Sequence, residues 1–123
     1  MMAGMKTLLA TWAVMGAVLT VAPAAADEGW TVAGRQGLVQ LVIVPEGQAA
    51  ERRAYDAQIA RLCPAEATCF LNFYANPAGA PVAVPLPDAI AQQATAIFRR
   101  SAKQQAELFR WSCRLQVARE ECF

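Results

Sequence analysis

The side chains best equipped for chemistry in this 123-residue sequence are its four cysteines, which fall into two pairs. Cys63 and Cys69 stand in RLCPAEATCF, and Cys113 and Cys122 in SCRLQVAREECF. Four thiolates are enough for a structural zinc site, but C-x5-C with C-x8-C lacks the tight C-x2-C knuckles that hold the metal. Thiol exchange needs an exposed thiolate of low pKa, usually at a helix start. Cys63 instead follows a helical pattern, at the end where the helix dipole disfavours a negative charge. The remaining chemistry is the plain cross-link. An even count in a short exported chain reads as two disulfides, because oxidising compartments preserve them and small cores need them. The two local loops, Cys63–Cys69 and Cys113–Cys122, are the preferred pairing, and the crossed pairing Cys63–Cys113 with Cys69–Cys122 competes with it.

Other catalytic constellations are absent from the sequence. The chain has no histidine, which removes the Ser-His and Cys-His nucleophile pairs, imidazole metal ligands and the ordinary near-neutral base. It has no Gly-rich phosphate loop, no C-x-x-C and no C-x-x-C-H haem attachment. Glu120 and Glu121 form the densest acidic step, beside Arg119, and read as a solvated tail rather than a catalytic dyad. No catalytic residue, cofactor or metal is expected.

The elements that position the cysteines are legible from periodicity. GLVQLVIVP (37–45) is a β-branched apolar run closed by proline, as in a strand buried on both faces. In EGQAAERRAYDAQIARLC the period changes, with Tyr55, Ile59 and Leu62 at i, i+4, i+7, which predicts a helix. That helix must stop at Cys63, since the residue before a proline avoids α geometry. TCFLNFYAN (68–76) is strand-like again and stops at NPAG. Four of the seven prolines follow in NPAGAPVAVPLPD, a stiff extended connection whose Val82, Val84 and Leu86 would cover a core edge. From Asp88, the three-four spacing of Ile90, Ala94, Ile97, Phe98, Ser101, Gln105 and Leu108 predicts a second helix, ending near Glu107. FRWSCRLQV (109–117) then alternates strictly, which predicts a strand. GWTVAG supplies a short additional strand ahead of the others.

Strands alternating with helices predict an α/β fold (α+β being the variant), a small two-layer sandwich of β-α-β-α-β order. Its sheet would have three or four strands, with two helices on one face and two disulfides. The opposite face would then be open. Phe70, Asn72 and Tyr74 share one side of their strand, and Arg110, Ser112 and Arg114 share the polar side of the last. Aromatic residues and arginines together are what binding hot spots favour, so these six form the candidate binding surface. The basic steps Arg52–Arg53 and Arg99–Arg100, flanked by Glu51, Asp56 and Glu107, read as solvated helix surface.

The leading segment sets the compartment. After Lys6, TLLATWAVMGAVLTVAPAAA is uncharged, is broken by Pro23, and carries Ala24 and Ala26 in the small-x-small pattern of a signal peptidase site. Residues 1–26 read as a signal peptide cleaved near Ala26, and residues 27–123 as one disulfide-stapled domain, periplasmic or secreted, with no stable membrane insertion after cleavage. Lys6 lies in the leader, so ten basic residues of the domain balance ten acids. That balance gives no field-driven attraction to nucleic acid. The expectation is a small exported binding or accessory protein acting through protein–protein contact, as a subunit or an inhibitor of another exported or envelope protein. The alternatives are an enzyme using carboxylates or arginines without a motif, and, more weakly, a thiol- or metal-handling protein.

Overall fold

The computed structural model describes residues 29–117 and 121–123, with Ala13, Gly16 and Ala17 of the leading run. The expected signal segment and its cleavage site otherwise lie outside the described residues, as do Arg119 and Glu120. Among the described residues no helix is long and apolar enough to cross a membrane.

The chain runs β1 (Thr31–Gln36), β2 (Val39–Val44), α1 (Arg52–Leu62), β3 (Cys69–Ala75), α2 (Asp88–Ala91), β4 (Ala94–Ser101), β5 (Ala106–Trp111) and a 3-10 turn, Cys113–Leu115. The five strands form one mixed sheet in sequence order, in which β2 and β3 are parallel and every other pair antiparallel. α1 is the crossover that a parallel neighbour pair requires. Gly37 (φ 62°) opens the two-residue turn between β1 and β2, a position that favours glycine. α1 stops where Cys63 turns extended before Pro64.

This architecture corrects the β-α-β-α-β expectation with two helices on a sheet of three or four strands. The sheet has five strands, α1 is the only helix longer than one turn among the described residues, and the segment expected to be the second helix starts helical at Asp88 but keeps only the single turn α2 before becoming the β4–β5 hairpin. The apolar residues of 90–108 satisfy a helical repeat, but a strand repeat fits them as well. Ala96 and Phe98 turn toward α1 and are fully buried, whereas Ile97 and Arg99 turn away. The turn is disguised because SAKQQ contains no Gly, Pro, Asn or Asp, the residues that ordinarily mark one. Gln105 adopts the left-handed conformation itself (φ 49°). Ser101 Oγ accepts the Gln104 N–H (3.3 Å), and Thr68 Oγ1 accepts the Ala102 N–H (3.0 Å), pinning the turn to the start of β3.

The last strand is also displaced from the expected 109–117. β5 covers Ala106–Trp111, after which Ser112 Oγ accepts the Arg114 N–H (3.3 Å) and the chain winds into its 3-10 turn. β2 and β3 lie where their patterns placed them, while β1 runs two residues beyond GWTVAG and α1 starts only at Arg52, giving about three turns.

The core fills the space between α1 and the sheet. Val42, Val44, Leu71, Phe73, Ala96 and Phe98 face Ala54, Tyr55 and Ile59 of α1. At its centre the Tyr55 ring meets Trp30, Phe73, Phe109 and Trp111 edge-on, with centroids 5.0, 4.9, 5.5 and 5.2 Å away. Edge-to-face geometry places the positive rim of one ring against the negative face of another. The Tyr55 hydroxyl donates to the Ala49 carbonyl (2.7 Å) and shares a hydrogen bond with Thr95 Oγ1 (2.8 Å), so this deeply buried polar atom is satisfied. Burial pushes the Tyr55 pKa up to about 12, against the pull of Thr95 and the Arg114 charge. Trp30 is tied to the helix layer by its backbone N–H to Gln58 Oε1 (2.9 Å) and its Nε1–H to Gln48 Oε1 (2.9 Å).

Both disulfides are local. Cys63–Cys69 clips the end of α1 to the start of β3, and Cys113–Cys122 draws the C-terminal segment back to the end of β5. Phe123 there donates its N–H to the Trp111 carbonyl (3.1 Å) and accepts the Cys113 N–H (2.8 Å).

Candidate functional site

The side of the sheet away from α1 is divided in two. Over β1 the proline-rich segment 77–87 rests against it, starting from a closed turn in which Asn76 exchanges hydrogen bonds with Ala80 in both directions (2.9 Å each). Val84 of this strap lies above the β1 bulge, where a Cβ on Gly34 (φ 153°) would come within 2.5 Å of its Cγ2. Gly34 pairs with Leu41 of β2, which is buried on this side outside the main core.

Over β3, β4 and β5 the same face is uncovered, and the register arranges it in rows. Phe70, Arg99 and Leu108 stand abreast across the three strands, and Asn72, Ile97 and Arg110 form the next row. Tyr74 follows beyond Asn72 on β3. Phe70, Asn72, Tyr74, Ile97 and Arg99 are half-buried, while Leu108 and Arg110 are exposed.

Of the six residues expected to make this surface, Phe70, Asn72, Tyr74 and Arg110 are brought together on it. Ser112 and Arg114 are not, because both lie beyond the end of β5. Ser112 is buried, with its N–H on the Thr95 carbonyl (2.9 Å) and its hydroxyl serving the turn. Arg114 reaches back with Nη2 to the Ala94 carbonyl (2.9 Å).

The residue at the centre of the face, Arg99, reads in the sequence as half of a solvated basic step and not as a site residue. Its Nη1 donates to the carbonyls of Leu71 (3.0 Å) and Phe98 (2.9 Å), and its Nη2 donates to Asn72 Oδ1 (2.8 Å). Asn72 in turn donates Nδ2–H to the Tyr74 hydroxyl (3.3 Å). The guanidinium carbon lies 5.6 Å from the centroid of the Phe70 ring. Burial pulls the Arg99 pKa below the usual arginine value, and Tyr74 acts the other way. Every acceptor holding Arg99 is neutral. The ion pairs among the described residues, Arg52–Asp56 and Arg100–Glu107, involve neither Arg99 nor Arg110. The signal that could have found Arg99 is strand parity: consecutive Arg99 and Arg100 point to opposite faces, and only Arg100 meets an acid.

Two shallow depressions adjoin the tip of the β4–β5 hairpin. One, of about 430 Å³, lies on the open face against Phe70, Arg99, Ser101, Gln104 and Leu108, with Ala106 and Glu107 at its rim. The other, of about 470 Å³, is lined by Glu66, Arg100 and Glu107 among others, and Arg100 there holds Glu107 at 3.5 Å. The four cysteines are all in disulfides, so they offer no thiolate to a metal or to exchange. Among the described residues no group of three potential ligating side chains converges on one point.

No family model matches this sequence, and no curated protein or solved structure matches it either.

Proposed function

We propose that this protein is a small exported binding protein, an accessory subunit or inhibitor that docks another exported or envelope protein on the uncovered half of its sheet. The observation that carries this reading is the grid of Phe70, Asn72, Tyr74, Arg99 and Arg110. These residues stand on three paired strands rather than on loops, and each keeps part of its surface exposed. Rings and arginines held in place lose little conformational freedom on binding, which is why they dominate interface energetics. Export is supported by the two disulfides together with the leader pattern that ends near Ala26. On this reading the mature chain begins near Asp27 and works in the periplasm or outside the cell.

The test is capture of a partner from envelope extracts by the tagged, oxidised protein and by its Phe70→Ala, Tyr74→Ala and Arg110→Ala variants. All three sites are at least partly exposed, so each variant should keep a cooperative unfolding transition while retention of the partner falls. Capture that survives in all three folded variants would show that the partner, if any, sits elsewhere.

A further inference from the structure

We infer that the row Phe70–Arg99–Leu108 seats an aspartate or glutamate side chain of an acidic segment in the partner, with Arg99 as its counter-charge. The inference rests on the docking face proposed above and names the chemistry which that face reads.

Arg99 is a cation without an anion. It spends three of its five N–H donors on neutral oxygens, which leaves Nε–H and one Nη2 hydrogen without a partner among the described residues. Two donors on adjacent nitrogens are what the two oxygens of a carboxylate accept side by side. The three bonds already made fix the guanidinium against β3, and the Tyr74–Asn72 contact fixes one of its anchors. The side chain is therefore set in place before any ligand arrives. Its charge is also partly desolvated, and in such a place an incoming carboxylate interacts more strongly than it would with a fully hydrated arginine.

The neighbours select for an acid carried on a peptide. Phe70 and Leu108 flank Arg99 on either side and give apolar contact to the residues beside the acid. Arg110 is the diagonal neighbour of Arg99 across the β4–β5 pair and adds a second positive charge, while the nearest acid, Glu107 at the rim of the depression, belongs by strand parity to the opposite row and is held there by Arg100 at 3.5 Å. A shallow, open depression cannot enclose a small molecule on most sides, as ligand pockets do, but it can accept a side chain projecting from an extended segment.

The experiment is selection from a displayed random peptide library against the oxidised protein, followed by affinity measurement on synthetic copies of the enriched peptides. Enriched peptides should share an aspartate or glutamate beside an apolar residue, and their binding should weaken with rising salt. Replacing that acid by its amide should lower affinity about tenfold or more. Arg99→Gln should lower it to a similar degree and abolish the difference between acid and amide peptides. Because Arg99 also ties β3 to β4, Arg99→Lys is measured alongside. It retains the charge without the planar fork, and should lose most of the affinity while remaining sensitive to the acid. Arg110→Gln touches none of the Arg99 bonds and should weaken binding by a few fold. Enriched peptides without an acid, equal binding by acid and amide forms, unchanged binding to Arg99→Gln, or no enrichment at all would each overturn the inference. If peptides without an acid still lose binding in Phe70→Ala, the docking face stands and only its charge reading fails. If no variant of the face affects either peptides or partner, the proposed function fails with it.

Discussion

Phe73 and Phe70 lie three positions apart on β3, on opposite sides of one sheet. Phe73 is completely buried, locked edge-on between Trp30 and Tyr55 under α1. Phe70 is partly exposed beside an arginine that has no acid to pair with among the described residues. The two rings have the same intrinsic propensities, so strand parity and what lies above each face account for the difference. The α1 side is closed by a helix whose rings and hydrogen bonds leave no buried side-chain polar atom without a partner among the described residues. The other side is closed only as far as the proline-rich strap reaches. On the proposed function, stability and recognition have separate addresses on a single strand, and that separation can be tested.

The largest effect should come from the closed side. Phe73→Ala removes a fully buried ring from the aromatic cluster and should cost about 3 to 5 kcal/mol, read from the denaturant midpoint. Phe70→Ala, by contrast, should cost less than about 1 kcal/mol, since it loses partial burial and a weak cation–π contact. Equal costs would erase the distinction between the faces.

A smaller effect should appear at high pH. The folded Tyr55 keeps its proton up to about 12, whereas an unfolded tyrosine releases it near 10. Between these values the unfolded state binds fewer protons, so stability is unaffected below pH 10 and falls as pH rises through 12. The loss should approach about 2 to 3 kcal/mol, at ~1.4 kcal/mol per pH unit over that interval. Denaturation followed at pH 9 to 12 would detect it, and Tyr55→Phe should flatten the slope.

The strap itself supplies the third contrast. Gly34→Ala places a Cβ against Val84 at a backbone angle that side chains rarely adopt, and should destabilise by about 1 to 2 kcal/mol. Combining it with Val84→Ala should recover only the steric part. A double-mutant cycle that shows no coupling between the two would mean that the strap does not rest on β1.

Much of the closed side was legible in the sequence. The run 37–45, the spacing of Tyr55, Ile59 and Leu62, Pro64 as a stop, and the alternation in CFLNFYA all encode local rules that packing then obeyed. The second helix was misread because Ala, Gln, Lys and Glu around the β4–β5 turn are strong helix formers. There the contacts of Phe98 and Ala96 with the core outweigh local preference, a competition between distant residues that no short window contains. The open face was half legible for the same reason. Phe70, Asn72 and Tyr74 come from a strand whose bounds were right, and Arg110 from one whose parity was right. Arg99 was concealed inside the misassigned helix, where it passed for half of a solvated basic pair. Ser112 and Arg114 continued an alternation that the Cys113–Cys122 loop interrupts.

That loop has a consequence for how the protein can meet others. A sheet of this kind has two outer strands, each with a row of backbone groups able to recruit a stranger's strand. On β1 the row is broken by the bulge at Gly34. On β5 the returning Phe123 occupies the Trp111 carbonyl and the Cys113 N–H. What remains of that edge is the short stretch around Glu107 and Phe109, so a partner docking as proposed would meet patterned side chains far more than exposed main chain.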